Sequence, residues 1–380
     1  MGSPGGILVD HELLERLGSV VRPAPGAPEI RPEQVQPASL DLRLGPVAHR
    51  VRAGFLPERV PIETRLGELS TGSLSLEGEG AVLERGAIFL VPLEEELELP
   101  PELSARFNPR SSTGRTDLFT RVLVPGFPRF DEAPAGYRGR PWLEVAPLSF
   151  AVRLRRGDRL CQVRLAHGRS ALDRHELAER LTREPLCFEG ARPLGPEELF
   201  LDAEGGLALR IGLEGREPCG WRAARTDAPV EFAAHGAHAC EDFWEPVHGR
   251  GGHCVLEPGR FYLFASRERL RIPPDLAAEM LPVDVGFGEL RNNYAGFFDS
   301  GFGWEPGKPP PGPRGTPAVL EVRAHDLPFL VEEGQVFCRL RFHRTRAHPA
   351  YPYGQRPSGL SYAHQDLTLA RAFRPALGRK

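Results

Sequence analysis

Apolar residues along this chain fall in short runs, several of them alternating with polar positions, and most runs close on glycine or proline. The runs AIFLVPL (87–93) and RFYLFAS (260–266) are each entered through a glycine turn, a pattern that predicts strands. LPPEL (99–103) and IPPDL (272–276) then break those strands, because proline has no N–H to give to a ladder. Segment 143–165 predicts two strands joined at Gly157, and segment 320–342 repeats the arrangement about Gly334. Helical spacing is sparse. DHELLERLG (10–18) carries leucines at helical intervals, with Asp10 as an N-cap and Gly18 as a stop, and DRHELAERLTR (173–183) predicts a second helix. The expectation is a mainly β protein of barrel or sandwich type.

The two sets of strands are copies of each other. At an offset of 173, Val82/Val255, Leu83/Leu256, Glu84/Glu257, Gly86/Gly259, Leu90/Leu263, Leu97/Leu270, Pro100/Pro273, Leu103/Leu276, Ala105/Ala278 and Pro109/Pro282 coincide. Further on the offset becomes 177, where WLEV (142–145) matches VLEV (319–322), Gly157 matches Gly334 and Cys161 matches Cys338. Chance does not hold so many pairs in register. The chain divides into a first barrel (1–172), a helical connector (173–200) and a second barrel (201–380).

Composition narrows the function. A chain of 380 residues suffices for two ordinary domains. A net charge of −3 disfavours a broad nucleic-acid surface, so any phosphate recognition is local. With 42 glycines and 39 prolines, a turn-rich β fold is favoured over a helical bundle. No apolar run is long enough to span a bilayer, and the N-terminus lacks a basic segment followed by an apolar one. The six cysteines lie far apart and form no CxxC pair, which reads as reduced thiols in a cytoplasmic protein.

One octapeptide concentrates binding chemistry. NPRSSTGR (108–115) places two guanidinium groups, two serine hydroxyls and free backbone N–H groups together, with a proline and a glycine that argue against a helix interior. An anion with several oxygens, such as a nucleotide phosphate chain, matches that donor set. The second copy aligns LPVDVGFGE (281–289) here, with Val283 and Asp284 at the places of Arg110 and Ser111. The loop of the first copy is therefore the specialised one.

QPASLDLRLG (36–45), NPRSSTGR, GYRGRPWLEV (136–145) and the tail SYAHQ (361–365) together resemble the dCTP deaminases, relatives of the trimeric dUTPases, in their longer tandem form. The resemblance implies two tandem dUTPase-like β-barrels of distorted jelly-roll type, with few short helices. It also implies hydrolysis of the cytosine 4-amino group of dCTP to dUTP and ammonia, in pyrimidine deoxynucleotide supply. Such chemistry requires a base to activate water and an acid for N3 and the departing amine, and one carboxylate can serve both by shuttling a proton. By resemblance the carboxylate is Glu144 in WLEV, with Glu321 of the second copy as the other candidate. Ser111 and Arg115 would organise the base end, and Arg110 and Ser112 would face phosphate oxygens. A hairpin aspartate should hold the deoxyribose 3′-hydroxyl. Asp131, 13 residues before Glu144, and Asp299, 22 before Glu321, are the candidates.

The tail resembles a segment that folds over the triphosphate, with Tyr362 and Gln365 in place and Tyr353 a looser match, but Ser361 stands where the family usually has lysine. Magnesium would accompany the triphosphate. A zinc mechanism calls for HxE and PCxxC motifs; PCGW (218–221) has no second cysteine, and the spacings in HGAHACEDFWEPVHGRGGHC (235–254) match no standard zinc site. That stretch is expected to be loop and strand edges. Related barrels place the pocket between subunits, which implies a homo-oligomer, a trimer being favoured, with a serine loop facing a neighbour's Glu144. A weaker alternative pairs the serine loop with Asp299 and Glu321 of the second copy. Two other functions stay open: a dUTPase or bifunctional deaminase–diphosphatase, and a catalytically inactive nucleotide-binding barrel.

Overall fold

The computed structural model describes residues 5–281, 296–307, 312–324, 326–356, 361–363 and 365–375, and the backbone of 290–292. The chain is mainly β, with short α-helices at Asp10–Leu14, Ile62–Leu69, Ser111–Gly114 and Arg174–Arg183 among the described residues. The last of these opens on a capping box: the Asp173 carboxylate accepts from the Glu176 N–H, and the Glu176 carboxylate accepts from the Asp173 N–H, both at 2.9 Å. Asp10 is not an N-cap. It is the first helical residue, is buried, and accepts from the backbone N–H groups of Ala350 and Tyr351, tying the N-terminus to the start of the tail. Residues 187–189, expected in the helical connector, form a strand paired with the second copy's Phe261–Leu270.

The repeat is visible in the strand pairing. Leu103–Pro109 runs antiparallel to Cys161–His167, as Leu276–Leu281 does to Val336–Arg344. Trp142–Pro147 pairs with Ile88–Pro92, putting Glu144 opposite Leu90; Thr316–Ala324 pairs with Phe261–Leu270, putting Glu321 opposite Leu263. Leu90 and Leu263 are repeat partners, so the two glutamates hold the same position in their barrels.

Period-2 alternation decides what each strand face meets. Along Phe261–Leu270, Phe261, Leu263 and Ala265 join a core shared with the first copy, containing Phe89, Phe107 and Val163, while Tyr262 and Phe264 join the second copy's own core. Along Thr316–Ala324, Ala318, Leu320, Val322 and Ala324 fill the second core, whereas Val319 joins the shared one. Glu321, two residues beyond Val319, lies on the same face and so faces the first copy. The copies are further joined where Val152–Leu154 takes Val230–Glu231 as a parallel partner. All six cysteines are buried free thiols.

Candidate active site

A cavity of about 340 Å³ lies between the two copies and under the tail. Arg110, Ser111, Ser112 and Arg115 enter it from the first copy, Asp299 and Glu321 from the second, and Tyr362 and Gln365 from the tail. Ser111 opens a single helical turn, Ser111–Gly114, set between the strands Leu103–Pro109 and Leu118–Leu123. The octapeptide is thus a turn of helix rather than an open loop, and Thr113 anchors it by donating to the Leu160 carbonyl at 2.7 Å.

At one end of the cavity, Gly114 lies against the Glu321 side chain, and a Cβ there would run into the carboxylate. Burial pushes the Glu321 pKa well above the usual carboxylate range; the Arg115 charge partly offsets this and Asp117 adds to it. Arg323, two residues along the same strand, pairs with Asp117, so the strand carrying Glu321 is pinned to the segment that follows the serine turn. Arg115 is buried, donates to the Thr368 carbonyl at 2.8 Å, and lies 3.9 Å from the centre of the Tyr362 ring. The Tyr362 hydroxyl is 2.9 Å from Ser112 Oγ. The Gln365 amide donates to the Pro317 carbonyl at 3.1 Å.

Asp299 lines the cavity, and its carboxylate is held by the first copy. Arg164 donates to its Oδ1 at 2.9 Å and to the carbonyls of Ala278 and Phe298, while Ser39 donates to Oδ2 at 3.1 Å. At the far end, buried Asp41 pairs with Arg110 at 3.1 Å and Arg159 at 3.5 Å, and the Gln36 amide donates to it at 3.3 Å. Desolvation raises the Asp41 pKa against the pull of these arginines.

Glu144 is elsewhere. Its carboxylate accepts from Arg121 Nε at 2.9 Å and Nη2 at 2.5 Å, and Gly54 closes over it. The face of its strand is covered by Val51, Ile62 and Leu66 of its own barrel, whereas the equivalent face in the second copy is covered by the other barrel. The cavity therefore holds the second copy's glutamate, and within the chain Glu144 does not stand beside the serine turn. Asp131 is also outside it: its carboxylate accepts from the Val122 N–H at 2.7 Å within the hairpin. Nor is Asp131 the counterpart of Asp299. Phe298 pairs with Ala278 as Ala133 pairs with Ala105, so the next residues, Asp299 and Pro134, correspond. The first copy has proline where the second has the aspartate. Val283 and Asp284, aligned with Arg110 and Ser111, lie outside the described residues, as does His364 of the tail.

Asp41, Arg159, Arg164 and Arg371 also line or buttress this site. Asp41 was present in the DLRLG motif and Arg164 in the paired strand CQVRL, but only the meeting of the two copies shows what they touch. Within the stretch 235–254, residues 236–238 hold the tail: the Gly236 N–H donates to the Arg371 carbonyl and the His238 N–H to that of Ala372, while 244–247 and 253–254 lie in strands paired elsewhere. Among the described residues, no three His, Cys, Asp or Glu side chains converge as a metal site, and no helix is long and apolar enough to cross a membrane.

Two dUTPase-like barrels enclosing one pocket lined by several arginines and by buried carboxylates from both copies define a class of nucleotide enzyme. Residues 5–169 match the family profile of the 2′-deoxycytidine 5′-triphosphate deaminase N-terminal domain, and residues 173–373 that of its C-terminal domain. The chain belongs to the dCTP deaminase family. The crystal structure of 2′-deoxycytidine 5′-triphosphate deaminase from Agrobacterium tumefaciens is 39% identical, with a TM-score of 0.80 over 91% of this chain and 99% of that one. A dCTP deaminase of Halorubrum lacusprofundi is 32% identical over 213 residues, 54% of this chain and 91% of the relative. A protein of Methanobrevibacter smithii named dCTP deaminase, dUMP-forming, is 30% identical over 135 residues, 34% of this chain and 66% of the relative.

Proposed function

We propose that this chain deaminates dCTP hydrolytically, with Glu321 as the proton shuttle. The observation that carries the reading is the Glu321 carboxylate, buried in the cavity against Gly114 of the serine turn, with Arg115 beside the same turn. Water adds to C4 of the cytosine as Glu321 takes its proton. The carboxyl passes that proton to N3. It then takes the second proton from the C4 hydroxyl and gives it to the amine, the C4–N bond breaks as the C4 carbonyl forms, and dUTP and ammonia result. A carboxylate whose pKa is lifted by burial suits this work, because it holds a proton more readily than an exposed carboxylate does. Ser111 and Arg115 position the water and the base; Asp299 takes the sugar 3′-hydroxyl; Arg110, Ser112, Tyr362 and Gln365 enclose the triphosphate, which enters as its magnesium complex. No zinc takes part, so dialysis against a strong zinc chelator followed by added magnesium leaves the rate unchanged. Activity restored only by zinc would overturn that point.

Because the pocket gathers its groups from both copies of one chain, it does not call for a neighbour's Glu144. The proposed trimer is tested separately by sedimentation equilibrium. The dUMP-forming name of the Methanobrevibacter relative gives a second reading, in which dUTP is cleaved further to dUMP and pyrophosphate. Incubating the protein with dCTP and magnesium while following ammonia, dUTP, dUMP and pyrophosphate separately decides between them. Ammonia with dUTP alone supports the deaminase; dUMP with pyrophosphate supports the bifunctional enzyme; no ammonia refutes both.

A further inference from the structure

The tail beyond Gln365 is anchored more firmly than a cover needs to be. The Gly236 N–H donates to the Arg371 carbonyl at 2.8 Å, the His238 N–H donates to the Ala372 carbonyl at 3.0 Å, and the Arg374 N–H donates to the His238 carbonyl at 2.8 Å. Phe373 sits among Phe150, Phe243, Trp244 and His238, with ring centroids 5.4–6.2 Å away. These contacts fix the Arg371 backbone while its side chain lines the cavity, its guanidinium 5.1 Å from the centre of the Tyr362 ring. Tyr362 thus has Arg115 and Arg371 both near its ring. The Arg371 charge is felt at Asp41, Arg159 and Arg115, which line the same cavity. Ser361, which also lines the cavity, carries no charge.

We infer that Arg371 is a ligand of the nucleotide's polyphosphate chain, supplying with Arg110 and Arg159 the cation that Ser361 does not. The inference rests on the reading of this cavity as a nucleotide site. A guanidinium presents paired donors that match phosphate oxygens, and a fixed backbone with a ring beneath the side chain lowers the entropy lost on binding. The 235–240 segment, whose His235, His238 and Cys240 invite a metal reading, acquires a different purpose: it is the cleat that holds Arg371 over the cavity.

The test uses full-length Arg371→Gln and Arg371→Lys with two readouts. The first is direct binding of inorganic tripolyphosphate by calorimetry. Arg371→Gln weakens it by about 10-fold or more, the scale of a charge-assisted hydrogen bond, and Arg371→Lys recovers part of the loss. The second is kinetics with dCTP and dCMP: KM for dCTP rises in Arg371→Gln with kcat little changed, and the preference for dCTP over dCMP narrows by the same factor. Unchanged tripolyphosphate affinity, or equal losses on dCTP and dCMP, overturns the inference. Tripolyphosphate binding that depends on Arg371 in a wild-type protein with no deaminase activity would instead sink the proposed reaction and leave Arg371 as a phosphate ligand.

Discussion

Gly114 of the first copy and Glu321 of the second are in direct contact, close enough that no side chain fits between them. The contact joins a residue of the serine turn to the carboxylate that does the proposed chemistry, so the geometry of the base end is set by packing between barrels. Gly114→Ala forces the carboxylate or the turn to move. Displacement of a catalytic group by about 1 Å costs on the order of 10²-fold in rate. We expect such a loss in kcat with circular dichroism unchanged; wild-type kcat would show that Glu321 does not work from this position.

The two repeat-related glutamates separate by substitution. Glu321→Gln keeps the shape and removes the proton shuttle, so turnover falls by at least ~10²-fold while substrate still binds. Glu144→Gln leaves turnover within a few-fold of wild type but unpairs Arg121. The stability loss is about 1–2 kcal/mol, below the 3–5 of a fully buried pair because the Arg121 side chain is 33% exposed. Denaturant midpoints and steady-state rates on both variants check this. The reverse pattern would return catalysis to Glu144.

Much of this was legible in the sequence. The repeat, the strands around Gly157 and Gly334, and the arginine–serine turn all stand on local patterns of turn residues and alternation. The choice between Glu144 and Glu321 did not, because both lie in near-identical strands opposite equivalent leucines. What differs is the cover over each face: Ile62 and Leu66 of a poorly matching segment over Glu144, the other barrel over Glu321. Arg164 was hidden for a similar reason. Its partners Ala278, Phe298 and Asp299 are more than a hundred residues away, and nothing in CQVRL announces them. The hairpin aspartate could have been settled earlier, since aligning Ala105 with Ala278 through the strand pairing puts Pro134 at the place of Asp299.

Asp131 gives a pH dependence of stability. Burial raises its pKa from 3.8 to about 7, against the Val122 N–H and Arg121, which favour the charged form. Since the folded value is the higher, this group's contribution is fully present below the unfolded pKa near 4 and is lost as pH rises through about 7. Asp131→Asn keeps an oxygen acceptor for Val122 and a residue type that tolerates the positive φ of 61°. The variant should gain on wild type between about pH 4 and pH 7, reaching about 1–2 kcal/mol at pH 8, less than the full linkage because the residue is partly open to solvent. Equal denaturant midpoints across that range would show that the carboxylate is solvated.

The last prediction concerns how many chains build one pocket. Arg115 and Glu321 meet in a single chain, through a cavity that also takes Asp299 and the tail from that chain. A chain carrying Arg115→Ala and another carrying Glu321→Gln should each be inactive. Carrying different affinity tags, the two are unfolded, mixed, refolded and purified over both tags, so that only assemblies containing both chains remain. If each pocket is built within one chain, every pocket in such an assembly still lacks either Arg115 or Glu321, and turnover stays at the level of the single variants. If the serine turn of one chain served the glutamate of another, a share of the pockets would combine an intact Arg115 with an intact Glu321, and activity would recover well above that level. Recovery would return the site to the interface between subunits and make the contact between Gly114 and Glu321 incidental. Its absence, with refolded wild type active as a control, would mean that each pocket takes both its serine turn and its glutamate from a single chain.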